Sequence, residues 1–161
     1  AALGIDPARI AAHGLSSGAH LALSAAITEE KVSVSAAPNA LILYSPPVDL
    51  EKNAKLQAML GQKATAASIS PIAGVRKGFP PTIIMQGDVD TVTPHASAKA
   101  FCDKMVQAGN RCELNTYMYM GHLFTPKGTP DDKTPQPNPK VETAAIAKAD
   151  AFLSSLGYLP K

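Results

Sequence analysis

Apolar residues in this chain gather into short unbroken runs separated by longer alanine-rich stretches, and this alternation predicts strands and helices in turn. Arg9-Ile10-Ala11-Ala12-His13-Gly14 is a short apolar run, and Ser17 to Ile27 follows with Leu21, Leu23 and Ile27 at helical positions. The pair reads as strand, tight turn, helix. Ala40-Leu41-Ile42-Leu43-Tyr44 is continuously apolar and closed by Ser45-Pro46-Pro47, as expected of a strand buried on both faces. Pro80-Pro81 introduces another apolar strand, Thr82-Ile83-Ile84-Met85, which stops at Gly87-Asp88-Val89-Asp90. A helix is predicted from Pro94 to Ala108, with proline at its start and Gly109-Asn110 just beyond its end.

Glu113 to Met120 is rich in residues that suit a strand, and it finishes at Gly121-His122. A last helix from about Val141 to Leu156 sets Ala145, Ala149, Phe152 and Leu156 near one face and closes at Gly157. Two stretches lack this order. Val48 to Ile72 is weakly periodic and reads as a connecting or lid-like excursion with a short helix around Lys52 to Leu60. Thr125 to Pro139 is a Pro- and Lys-rich loop, long enough to be expected to move. Strands alternating with helices predict an α/β fold, a mainly parallel sheet flanked by helices, in one domain over residues 1–161.

With 161 residues, 45% of them hydrophobic, the chain has enough apolar material for one core. Fifteen Lys plus Arg against thirteen Asp plus Glu leave a net charge of +2, and the cations are scattered. That balance argues against nucleic-acid or membrane-surface partners. No apolar stretch approaches the roughly 20 residues that a membrane-spanning helix needs. The first residues, Ala1-Ala2-Leu3-Gly4, have neither a Met nor the charged-then-apolar order of a signal peptide, and read as an internal cut. Gly-rich phosphate loops, metal-ligand clusters and aromatic-basic stripes are lacking, so no metal or organic cofactor is expected.

Gly14-Leu15-Ser16-Ser17-Gly18 fits the G-x-S-x-G pattern and stands between a strand run and a helix run, the context that gives the pattern meaning. A serine on a strained turn there presents its Oγ beyond the strand end, with Gly14 and Gly18 expected to permit close approach. The helix behind it supplies backbone N–H groups for a developing oxyanion. Asp88 and Asp90 follow a buried strand, where sites gather in parallel sheets. Asp90 is the expected catalytic acid and Asp88 the turn residue. His122 follows the last strand, completing the chain order Ser, Asp, His. In that scheme His122 takes the Ser16 proton, and Asp90 holds its tautomer. His13 and His20 are expected to be packed or hydrogen-bonded, and His95 to start a helix. Cys102 and Cys112, on either side of an Ala-Gly-Asn turn, fit a helix-to-strand bridge or two reduced thiols.

With these pieces assembled, the chain resembles the acetyl esterase and lipase branch of the α/β-hydrolases, close to the hormone-sensitive-lipase-like and feruloyl/acetyl esterases. Leu3-Gly4-Ile5-Asp6-Pro7-Ala8-Arg9-Ile10 is similar to the family's approach to its elbow strand, and Gly14 to Ala22 to the elbow and its helix. Pro80 to Pro94 and Gly121-His122 are similar to the acid and base stations. The resemblance implies the C-terminal half of such a fold, without the earlier strands and the His-Gly-Gly-type loop. It also implies hydrolysis of short-acyl esters, of acetylated or feruloylated carbohydrate, through an acyl-serine, with the Ser17 backbone N–H as one oxyanion donor. A serine peptidase of the same fold and a non-catalytic binding or assembly module are the alternatives. Phe101-Cys102 through Arg111-Cys112-Glu113-Leu114 resembles exported members. That implies a disulfide and a secreted or periplasmic protein, with a cytoplasmic one as the alternative. The first strand becomes a sheet edge, expected to be covered by a second copy (a homo-oligomer), by a separate N-terminal half or by a rearranged segment of the chain itself.

Overall fold

A computed structural model describes residues 4–27, 35–51, 57–58, 60–62, 64–130 and 134–160. In chain order they form β1 (Ala11–Leu15), α1 (Ser17–Ile27), β2 (Ala40–Tyr44), β3 (Thr82–Gly87), α2 (His95–Gln107), β4 (Cys112–Tyr117) and α3 (Pro139–Ser155). Short 3-10 turns occur at Ala67–Ile69, Pro71–Gly74 and His122–Phe124. The strands pair in the order β1-β2-β3-β4, every neighbour parallel. Leu15 lies opposite Tyr44, Tyr44 opposite Met85, and Gly87 opposite Tyr117. That register brings the C-terminal ends of the strands to one rim, where a parallel α/β sheet builds its sites.

The pleat of β2 and β3 sorts their side chains. Leu41, Leu43 and Ile84 pack with Leu23 of α1 and Phe101 and Met105 of α2. Ala40, Ile42, Tyr44, Ile83 and Met85 face Ala145, Ala149 and Phe152 of α3. Alternate residues thus enter two cores, one on each face, because successive side chains of a strand point to opposite sides. Being covered twice is why these strands are unbroken apolar runs rather than alternating ones.

Predicted and observed elements differ mainly at their ends. β4 stops at Tyr117 rather than Met120, because Tyr119 has a left-handed backbone (φ 61°) and Met120 turns to bridge Pro126. Helix α1 buries Ala19, Leu23 and Ala26, leaving Leu21 exposed. Helix α3 begins at Pro139, since Asn138 caps it by accepting from the Lys140 and Val141 N–H groups. The Asn138 N–H also donates to the Phe124 carbonyl, so the Pro-rich loop is tied down at its far end. Most of the helix expected around Lys52 to Leu60 lies outside the described residues. The turns at residues 67–74 are pinned back onto the end of β2's loop, with Ile72 N–H donating to the Val48 carbonyl and Leu50 N–H to Ser70 Oγ. Cys102 of α2 and Cys112 of β4 form a disulfide, their Cα atoms 5.3 Å apart.

Candidate active site

Ser16 occupies the single residue between β1 and α1, and its φ of 49° puts a non-glycine residue in the left-handed region. Its N–H donates to the Tyr44 carbonyl at 2.9 Å, and its carbonyl accepts from Ala19 N–H, starting the helix. Gly14 makes this turn sterically feasible. A Cβ there would lie 2.5 Å from the backbone nitrogen of Ala19, closer than atoms can pack. Gly18 differs from expectation, since a Cβ there would meet nothing among the described residues. Ser17 opens α1, so its N–H has no intrahelical acceptor and lies one residue from the Ser16 hydroxyl.

Asp90 and His122 reach Ser16 from two other strand ends. His122 Nε2 is 2.9 Å from Ser16 Oγ, and His122 Nδ1 is 3.0 Å from Asp90 Oδ2. A carboxylate only accepts, so the proton belongs on Nδ1 and Nε2 is left bare toward the serine hydroxyl. The Asp90 side chain is fully buried and that of His122 is 11% exposed. Burial pushes the Asp90 carboxyl upward, but hydrogen bonds from His122 and from the Thr93 N–H and hydroxyl outweigh it. The group is held below its ordinary value of 3.8.

Asp90 sits in a dense set of donors. Its Oδ1 accepts from the Val92 and Thr93 N–H groups at 3.0 and 2.8 Å, and its Oδ2 from the Thr93 hydroxyl and Gln86 Nε2 at 2.8 and 2.9 Å. Asp88 has a different task, accepting from Met120 N–H at 3.3 Å and so holding the loop that leads to His122. Gly87 lets that loop approach, because a Cβ there would lie 2.2 Å from the Met120 carbonyl oxygen. Gln86 and Gly87 escaped the sequence reading. A lone amide within an apolar strand was the available signal for Gln86, since buried polar groups need partners. Thr93 had the signal of an Asp with a Thr three residues on. The other histidines lie elsewhere: His13 edge-on to Tyr44, His20 donating to the Pro47 carbonyl, His95 bonded to Thr116 at the start of α2.

Two clefts meet at this relay. One of about 520 Å³ is lined by Ser16, Ser17, Pro47, Val48, Leu50 and Ser97. The other, of about 540 Å³, is lined by Val89, Gly121, His122, Pro126 and Lys127, and Val92 borders both. Among the described residues no three His, Cys, Asp or Glu side chains are grouped to hold a metal ion.

A parallel sheet with helices on both faces and a serine elbow on its rim defines an α/β-hydrolase fold. The chain belongs to the BD-FAE family, whose profile matches residues 1–105. Its structure is similar to a thermophilic esterase, Est2, of the planctomycete Thermogutta terrifontis. The propionate-bound form is 31% identical with a TM-score of 0.79, covering 99% of this chain and 60% of that one. The form phosphorylated by paraoxon is 30% identical with a TM-score of 0.78, covering 99% and 58%. A stretch of 69 residues is 36% identical to the non-reducing polyketide synthase Preu6 of Preussia isomera, 42% of this chain and 3% of that protein. The chain thus spans about 60% of the length of the solved esterases it matches.

Proposed function

We propose that this chain carries the nucleophile, base and acid of a carboxylic ester hydrolase acting through an acyl-serine. The observation that carries this reading is the unbroken path from Ser16 Oγ through the His122 ring to Asp90, at 2.9 and 3.0 Å. Ser16 Oγ attacks the ester carbonyl carbon as His122 Nε2 takes its proton, and the Ser17 N–H donates to the oxyanion. Collapse of the adduct breaks the bond to the alcohol oxygen, which leaves with the proton from His122. A water then attacks the acyl-serine by the same route in reverse, releasing the acid and restoring Ser16.

The proton path also orients the substrate. Nε2 must reach the leaving oxygen, so the alcohol portion takes the cleft on the His122 side and the acyl portion the cleft beside Ser16. Short acyl groups are the proposed substrates, which the propionate and butyrate complexes of the Thermogutta esterase support. Acetylated or feruloylated carbohydrate is the proposed natural class. The disulfide supports an oxidising, secreted or periplasmic setting. A further polypeptide, either a second copy or a separate N-terminal half, is proposed to cover the open side of β1 and to furnish the other oxyanion donor.

The test is hydrolysis of 4-nitrophenyl acetate by the chain and by Ser16→Ala, with intact mass recorded after treatment with an organophosphonate. We expect turnover and a single adduct in the parent chain and neither in the variant. Equal rates in both would refute the assignment of Ser16.

A further inference from the structure

Ser16 and His122 are 106 residues apart in sequence, and the last residue of β2 and the residue after it, neither of them part of the relay, touch the two turns in succession. Tyr44, the last residue of β2, accepts the Ser16 N–H at 2.9 Å through its carbonyl. Ser45, the next residue, accepts the Leu123 N–H at 3.1 Å through its Oγ. Leu123 directly follows His122. One peptide unit therefore joins the nucleophile turn to the base turn.

The backbone is strained on both sides of this link. Ser45 has φ 46°, Leu123 φ 50° and Phe124 φ 63°, conformations that a residue with a Cβ adopts at a cost. Ser45 is fully buried, and its own N–H donates to the Met85 carbonyl, so it cannot shift without breaking the sheet's end. The bond from Leu123 to Ser45 is part-buried, so the Leu123 N–H is only partly rehydrated if its acceptor disappears, at a cost in free energy. A rigid hydroxyl that satisfies the residue next to His122 thereby limits where the imidazole can stand.

We infer that Ser45 is a positioning residue: through Leu123 it sets the His122 loop against the Ser16 turn and holds Nε2 within hydrogen-bonding distance of Ser16 Oγ. The inference deepens the esterase reading and rests on it for its kinetic consequence. Displacement of a reacting group by about 1 Å costs on the order of a hundredfold in rate, and the consequence falls on the chemical step rather than on binding.

The experiment compares Ser45→Gly and Ser45→Ala with the parent chain. Glycine relieves the left-handed backbone and alanine does not, so the two differ in stability, yet both lack the acceptor. With 4-nitrophenyl acetate both variants should lose about ten- to a hundredfold in kcat, with KM changed by less than about twofold, whatever their melting temperatures. A kcat that follows melting temperature, or that stays within about twofold of the parent in Ser45→Gly, overturns the inference. If the parent shows no turnover dependent on Ser16, it is the esterase reading that fails. The role of Ser45 is then read from the His122 Cε1–H resonance, which should move in Ser45→Gly while that of His20 stays. An unmoved His122 resonance overturns the inference in that case too.

Discussion

Asp90 shows how much of the site depends on single hydrogen bonds. Its Oδ1 is committed to two backbone N–H groups, so in Asp90→Asn the amide oxygen must take that position. The new NH₂ then points at His122 Nδ1, Gln86 Nε2 and the Thr93 hydroxyl, which forces the imidazole into the wrong tautomer. Under the proposed mechanism kcat should fall by about four orders of magnitude, measured on the acetate ester with KM as the control. Asp90 also makes stability depend on pH. A carboxyl held below its ordinary 3.8 in the folded chain contributes stability above that value and loses it as pH falls through the folded pKa. The difference in urea unfolding free energy between parent and Asp90→Asn should therefore be largest near neutrality and shrink in acid below about pH 4. A constant difference would mean that the carboxylate is not held by these bonds. Removing the Gln86 donor, as in Gln86→Leu, should cost about 1–3 kcal/mol in the same assay, because Asp90 is buried. All of these donors lie within four residues of Asp90, and the sequence signals only two of them, Gln86 as a lone amide in an apolar strand and Thr93 as a Thr three residues after an Asp; the folded loop is what turns them onto one carboxylate.

Turns following β1, β2 and β4 hold all five non-glycine residues with positive φ among the described residues. Strain thus gathers at the rim that carries the site, as expected where the fold must aim side chains. Gly87, at the close of β3, serves the same rim by close approach rather than by strain. Gly87→Ala would drive a methyl into the Met120 carbonyl and push away the loop bearing His122. It should slow labelling by an organophosphonate by about a hundredfold and destabilise by about 1–3 kcal/mol, both read on the same preparation. The disulfide acts on another pair of elements, joining α2 to β4 away from the relay. Cys102→Ser with Cys112→Ser should lower unfolding free energy by about 2–4 kcal/mol and leave kcat at 25 °C nearly unchanged. At this scale the strand runs, the α1 boundaries and the Ser, Asp, His order were legible, because apolar periodicity and turn residues act locally. The early end of β4 was not, because Tyr119 turns the chain so that Met120 bridges Pro126, a pairing that no local signal announces.

Across the whole molecule, the two cores cover both faces of the sheet but leave one flank of β1 without a neighbour among the described residues. Ile10, just before β1, and Leu15, its last residue, are 47% and 48% exposed. An unpaired edge with apolar side chains beside it is a template for association. Sedimentation of the isolated chain should show concentration-dependent self-association that Ile10→Lys reduces, and a monomer across the micromolar range would count against it. The sequence by itself determined the order of strands and helices, the two-sided burial of β2, the apolar run of β3, and the identities of Ser16, Asp90 and His122 as candidates. These follow from hydrophobic periodicity and from residue chemistry, which a linear chain displays. The tertiary structure alone decided that the three side chains meet at hydrogen-bonding distance and that Gln86, Thr93, Gly87 and Ser45 lie against them. Those outcomes depend on parallel register, which places residues up to 106 positions apart on one rim, and register is a property of the assembled sheet rather than of any segment.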